Sequence, residues 1–404
     1  MKNLGEGNTP TVTTASNSND QCPQVGKGFS DQLDPYLSHP TATQKTVDQI
    51  FDLTALPGEN LSAEDAAKRK EIIAMYRDFG IDLSLDMGSF YSKTLASFRP
   101  QSWSSQTKQP LSGAYLQPFS VDAPTNHPIP CYTPHVQLPV GYFSSAQLHF
   151  YKGFDGVGFG VAISKGTDPV RTIKSKADGK SYQAHVRNDA LELFLPTNTN
   201  ADQQVIFLDS VDNTLINCIK AKQDGSNYAC GFAAQSTLPN LGDRGGTIAS
   251  GMSNLAGLIR EDEATDKTTR LTHGIIIVSN RMWKARVYPA VSGDAWIYKN
   301  QNANRYGRGL VPYGGVVQLD PALNLEALNL SLPAKRILEA VQQYGAYLVD
   351  SGGPAFGIYT SVKSSEFEQF ASIYTPNDDK GIQNQIAKVL STSKVYVVPP
   401  LVKR

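Results

Sequence analysis

Residues 313–359 read YGGVVQLDPALNLEALNLSLPAKRILEAVQQYGAYLVDSGGPAFGIY. The stretch reads as a strand, a turn, one short amphipathic helix and a second strand. The helix is placed at 333–344: Pro333 sits in its first turn, Ile337, Leu338, Val341 and Tyr344 share one face, and Gly345 ends it. Working outward, the same texture of short apolar runs continues on both sides. AQLHFY, VGFGVAI, LELFL and QVIFLD come before it, then GIIIVS and ARVYPA, each cut off by Gly, Pro, Asp or Asn. Runs of that length and spacing are the sequence sign of stacked sheets. The expected fold class is therefore mainly β, a jelly-roll or β-sandwich-like body with a helical N-terminal region and a few C-terminal helices.

The flanks divide the chain further. Residues 1–28 lack apolar periodicity and read as a flexible leader. Residues 29–98 read as a helical region. Ser62 and Asp65 have capping-box spacing, Leu61 can staple against Ala66, and Ile72, Ile73, Tyr76 and Phe79 form a stripe that Gly80 ends. A shorter helix fits TVDQIFDLTAL, stopped by Pro57-Gly58. Residues 99–404 are the β body, with two sub-sheets expected at about 99–245 and 246–404. Two late helices fit SSEFEQFASIY and GIQNQIAKVLS, and KVYVVPPL returns as a closing strand whose double proline suits a sheet edge.

Composition excludes several functions. Lys+Arg 37 balances Asp+Glu 37, so no global field draws a polyanion, and no nucleic-acid partner is expected. No apolar run is long enough to span a bilayer. Cys218 and Cys230 bracket a hairpin that turns at Asp224-Gly225-Ser226, and a disulfide is expected there. Cys22 and Cys131 would pair by tying the leader to the body. An even cysteine count with low charge, 18%, favours an oxidising compartment, so a secreted or extracellular location is expected. The alternative is four buried thiols inside the cell.

Several motifs are weaker than they look. Asp350-Ser351-Gly352-Gly353-Pro354 copies the surroundings of a chymotrypsin-like nucleophile, but Val349 stands where that pattern has Gly and no matching His context precedes it. Its glycines read as turn residues. Gly251-Met252-Ser253-Asn254-Leu255 lacks the fifth-position Gly of an esterase elbow. The glycines of 153–160 do not open a helix, which argues against a nucleotide loop. None of the six His has a partner at metal-like spacing, so no metal site and no cofactor are expected; a structural Ca²⁺ on loop carboxylates stays open. His135, His149 and His185 read as solitary strand histidines.

The order LAGLIREDE (255–263), His273, Tyr288-Pro289-Ala290, VQLDP (317–321) and QYGAYLVDSGG (343–353) resembles a family of bacterial secreted or cell-surface proteins, many actinobacterial. There a GLAGLIR-x-x-E stretch precedes HAL, YPA, VQLDP and ALQxYGxYxxDxGG. The resemblance covers roughly residues 165–400 and puts Glu263, His273, Tyr288, Asp320, Tyr344 and Asp350 on matching positions. One departure is Gln203-Gln204, where the family often has His. The family is largely of unassigned function and associated with polysaccharide-facing proteins. It implies a carbohydrate-active protein that cleaves or binds a polysaccharide or cell-surface glycan. On the residues, Asp320 and Glu263 would serve as an acid/base pair, with Asp350 as a third carboxylate and His273 as an auxiliary. A lyase would instead use His273 or Tyr344 as base and Arg286 to neutralise a uronate. Trp283, Trp296 and Tyr313, with Tyr288 nearby, lie in a polar aromatic stretch suited to stacking on sugars. The competing expectation is a non-catalytic structural or adhesive protein, such as a fibre, surface-layer or capsid component, in which these residues are architectural. Neither reading fixes an oligomeric state.

Overall fold

The computed structural model describes residues 61–78, 83–84, 118–120, 122–130, 133, 135–149, 158–190, 202–260, 263, 271–293, 309–361 and 381–400. The leader, the helices expected at 46–56 and 364–374, the LELFL strand, Phe79, Gly80, Cys22, Cys131 and Trp296 lie outside them. Among the described residues the fold is mainly β, and no helix is long and apolar enough to cross a membrane.

The decisive stretch folds as strand, helix, strand. Val316–Leu319 is β15, Leu332–Gln343 is helix α2 and Ala346–Ser351 is β16. Ile337, Leu338 and Val341 of α2 are buried, as the stripe requires. Gly345 ends the helix at φ +82, and a Cβ there would lie 2.4 Å from Val316 Cγ1, so only glycine fits. β15 and β16 are antiparallel neighbours in a seven-stranded sheet. Its order runs β2 (Val136–Gln137), β18 (Val395–Val398), β15, β16, β12 (Ile275–Ser279), β17 (Phe356–Tyr359), β3 (Ala146–His149). β18 is therefore not the edge strand its double proline suggested: Pro399 and Pro400 follow the last rung, and two residues of β2 cover its outer side.

Strands between residues 160 and 237 build two further four-stranded sheets. One runs β11 (Phe232–Thr237), β8 (Thr214–Ile219), β7 (Val205–Asp209), β4 (Gly160–Ile163). The other runs β6 (Ser181–His185), β5 (Val170–Ser175), β10 (Asn227–Cys230), β9 (Lys222–Asp224). Side-chain alternation stacks all three sheets. In β7, Val205 and Phe207 face the core shared with the β5–β10 sheet, while Ile206 and Leu208 face the core shared with the large sheet. In β12, Ile276 and Val278 meet that same middle core, and Ile275 and Ile277 meet the helices on the far side. Strands sandwiched on both faces read as unbroken apolar runs, and IIIV and VIFL are such runs. The helical side carries α2 and α3 (Ile382–Thr392). It also carries helix α1 (Ala63–Asp78) and a small sheet of β1 (Leu83–Ser84), β13 (Met282–Val287) and β14 (Val311–Tyr313). In α1, Ser62 Oγ accepts from Asp65 N at 3.0 Å, the N-terminal cap read from the sequence.

Cys218 and Cys230 form a disulfide, with Cα atoms 5.6 Å apart. It does not close a simple hairpin. Cys218 is on β8 and Cys230 on β10, so the bond pins two sheets across their shared core; the Asp224–Asn227 turn joins β9 to β10 instead. Replacing both by Ala is expected to cost about 3 kcal/mol, given a closed loop of about a dozen residues. Urea unfolding of that variant beside the native chain measures it.

Candidate functional site

The polypeptide from Leu255 to Ile259 is buried, and Ile259 bridges Thr360 at the start of the following turn. That anchoring carries Arg260 into the interior. Its Nη1 donates to Glu263 Oε1 at 2.9 Å and its backbone N donates to Oε2 at 3.0 Å. His273, two residues before β12, places Nε2 3.0 Å from the same Oε1 and Nδ1 2.7 Å from Gly274 O. Arg336 of α2 donates to the Glu263 carbonyl at 3.3 Å. All four side chains are nearly or fully enclosed, Glu263 at 2% exposure. Burial pushes the Glu263 carboxyl up, but the Arg260 guanidinium and His273 outweigh it and hold the group down at about 2. Glu263 and His273 thus meet in an enclosed cluster with Arg260 rather than on a cleft wall.

Asp320 and Asp350 do not join them. From the Val316–Tyr347 rung, Asp320 lies four residues along β15 and Asp350 three along antiparallel β16, in opposite directions. Seven residues at extended spacing put them roughly 23 Å apart, whereas glycosidase carboxyls stand about 5–9.5 Å apart. Asp320 lies at the same end of the sheet as His273 but follows the other face: Val317 and Leu319 share the helical-side core with Ile275, and Asp320 acts on Tyr396 of the opposite side. Locally, Asp320 Oδ1 accepts from Ala322 N at 3.0 Å, and Asp350 accepts from Ser351 N at 2.8 Å and from the Tyr359 hydroxyl at 3.3 Å. Gly353, at φ +63, turns the chain after Ser351, so the protease-like string is a strand end followed by a glycine turn.

The aromatic candidates separate too. Trp283 and Tyr313 are 0% exposed within the helical-side core, with no ring face open to a sugar. Arg286, level with Tyr313, donates through Nη1 to Val291 O. Tyr344 caps α2, half-buried, and burial raises its phenol. Trp296 lies outside the described residues. Tyr288 is partly exposed, but its hydroxyl is enclosed beside Asp243. Burial pushes the Asp243 carboxyl up more than neighbouring Arg244 pulls it down.

Two groups escaped the sequence reading. Asp243-Arg244 sits between glycines 242, 245 and 246, and a charged pair so flanked in an apolar segment was its one signal. His185, Asp209 and Asp212 converge at one end of the two smaller sheets, with ligand atoms all within 4.8 Å. Only the Asp-x-x-Asp spacing hinted at them. No family model matches this chain, and no curated protein or solved structure matches it either. The resemblance to secreted bacterial proteins thus rests on motif order alone.

Proposed function

We propose that this chain is a non-catalytic, extracellular structural or adhesive protein, with a small β-sandwich formed by the two four-stranded sheets. The observation that carries the reading is the pairing of its candidate carboxylates. Glu263 is closed into an ion cluster, and Asp320 and Asp350 bond their own neighbourhoods at opposite ends of one sheet. A disulfide between sheets supports an oxidising compartment. For an adhesive role, a cell-surface glycan is the partner class the motif order implies. The outer face of the β5–β10 sheet offers Thr172, Gln183 and Asn227 amide and hydroxyl groups of the kind that bond sugar hydroxyls.

The test is incubation with neutral and uronic polysaccharides, following reducing-end release and absorbance at 235 nm, with glycan binding measured in parallel. No product is expected from any polysaccharide. Product that disappears in Asp320→Asn or Asp350→Asn would sink the proposal and restore the hydrolase or lyase reading.

A further inference from the structure

The end of the two smaller sheets holds an arrangement that the structural role does not use. β6 ends at His185, and β7 ends at Asp209, where the chain turns through Asp212 into β8. Asp209 is the fixed member. Its side chain is 1% exposed; Oδ1 accepts from Val211 N at 2.9 Å, Asp212 N at 3.2 Å and Ser164 Oγ at 3.3 Å. Oδ2 accepts from His185 N at 2.7 Å and faces His185 Nδ1 at 3.1 Å. Asp212 Oδ2 lies 3.8 Å from the same nitrogen and its side chain is 65% exposed. Among the described residues, the ion pairs of Asp209 and Asp212 are with His185 alone. Two carboxylates, one of them enclosed and accepting from backbone N–H groups, therefore share a single imidazole.

The geometry points to a divalent metal site formed by His185 Nδ1, Asp209 Oδ2 and Asp212 Oδ2. A zinc-like ion about 2.0–2.2 Å from each donor would set donors roughly 3.3–3.5 Å apart. The separations from Nδ1, 3.1 and 3.8 Å, bracket that spacing, and rotation of the exposed Asp212 closes the remainder. The backbone donors on Asp209 Oδ1 orient the carboxylate so that Oδ2 points at the ion. One nitrogen donor and only three protein ligands select a borderline transition ion over Ca²⁺ or Mg²⁺, which want more oxygens. The fourth position opens to solvent on the Asp212 side.

The full chain, stripped with chelator and dialysed, is titrated with Zn²⁺ by calorimetry and with Co²⁺ by visible absorption. One ion per chain is expected, not displaced by excess Ca²⁺. His185→Gln and Asp212→Asn should each weaken binding at least about tenfold. Both positions are solvent-accessible, and metal-free thermal unfolding confirms that the variants fold. His135→Gln, an exposed histidine elsewhere, should leave binding unchanged. Absence of saturable binding, survival of binding in either site variant, or its loss in His135→Gln overturns the assignment.

Discussion

Glu263→Gln is expected to destabilise the fold by about 3–5 kcal/mol, because it strips a charge partner from the enclosed Arg260 guanidinium. Arg260 and His273 are nearly inaccessible, so water cannot take over the lost carboxylate. Acid should produce a related loss in the native chain. The Glu263 carboxyl sits near 2 when folded, against an ordinary value of 4.5, and so favours the folded state when ionised. That contribution is complete above about pH 4.5 and is lost as pH falls through 2. A difference of this size corresponds to roughly 3 kcal/mol. Denaturant midpoints between pH 7 and pH 2 measure it, and Glu263→Gln should flatten the part of the curve below pH 4.5. A variant as stable as the native chain, with an unchanged acid limb, would place Glu263 outside any stabilising cluster and reopen a catalytic role.

The strands were legible because burial on two faces leaves apolar runs that few other local structures produce. IIIV at 275–278 and VIFL at 205–208 are that case. Their partners were not legible. β2 and β3 precede the small sheets in sequence yet pair with β18 and β17, a choice fixed by contacts hundreds of residues away. β4–β11 build the two four-stranded sheets, whereas β2 and β3 join the seven-stranded sheet with strands that follow residue 245. The same nonlocality governs the site. Motif order brought Glu263 and His273 to attention together, but nothing local tells that Arg260 neutralises the carboxylate in the interior. Asp320 and Asp350 flank one helix in sequence, and only the antiparallel register of β15 and β16 reveals that they diverge. His185 and Asp209 stand 24 residues apart on strands of different sheets, a spacing that carries no local signal.

Trp283→Ala should lower stability by about 3–5 kcal/mol, as expected for emptying a fully enclosed indole site. The position read as a sugar platform because polar residues follow it, but within β13 its neighbours Met282, Ala285 and Val287 are buried as well. Above the ring lies Arg69 of α1, its guanidinium carbon 5.0 Å from the centroid, and Arg69 Nε and Nη2 donate to Gly309 O at 3.0 and 2.8 Å. The indole therefore helps seat α1 on the body, and a double-mutant cycle with Arg69→Met should show a coupling of about 1–2 kcal/mol. Among the described residues, Trp283 Nε1 has no hydrogen-bond partner. Phenylalanine removes that buried donor while keeping most of the volume, so Trp283→Phe should cost much less than Trp283→Ala. Unfolding free energies of the three variants, read beside glycan binding, separate anchor from platform. A Trp283→Ala chain that keeps its stability but loses glycan binding would mean the ring faces a ligand, and the adhesive surface would then lie on the β13 side rather than on the outer face of the β5–β10 sheet.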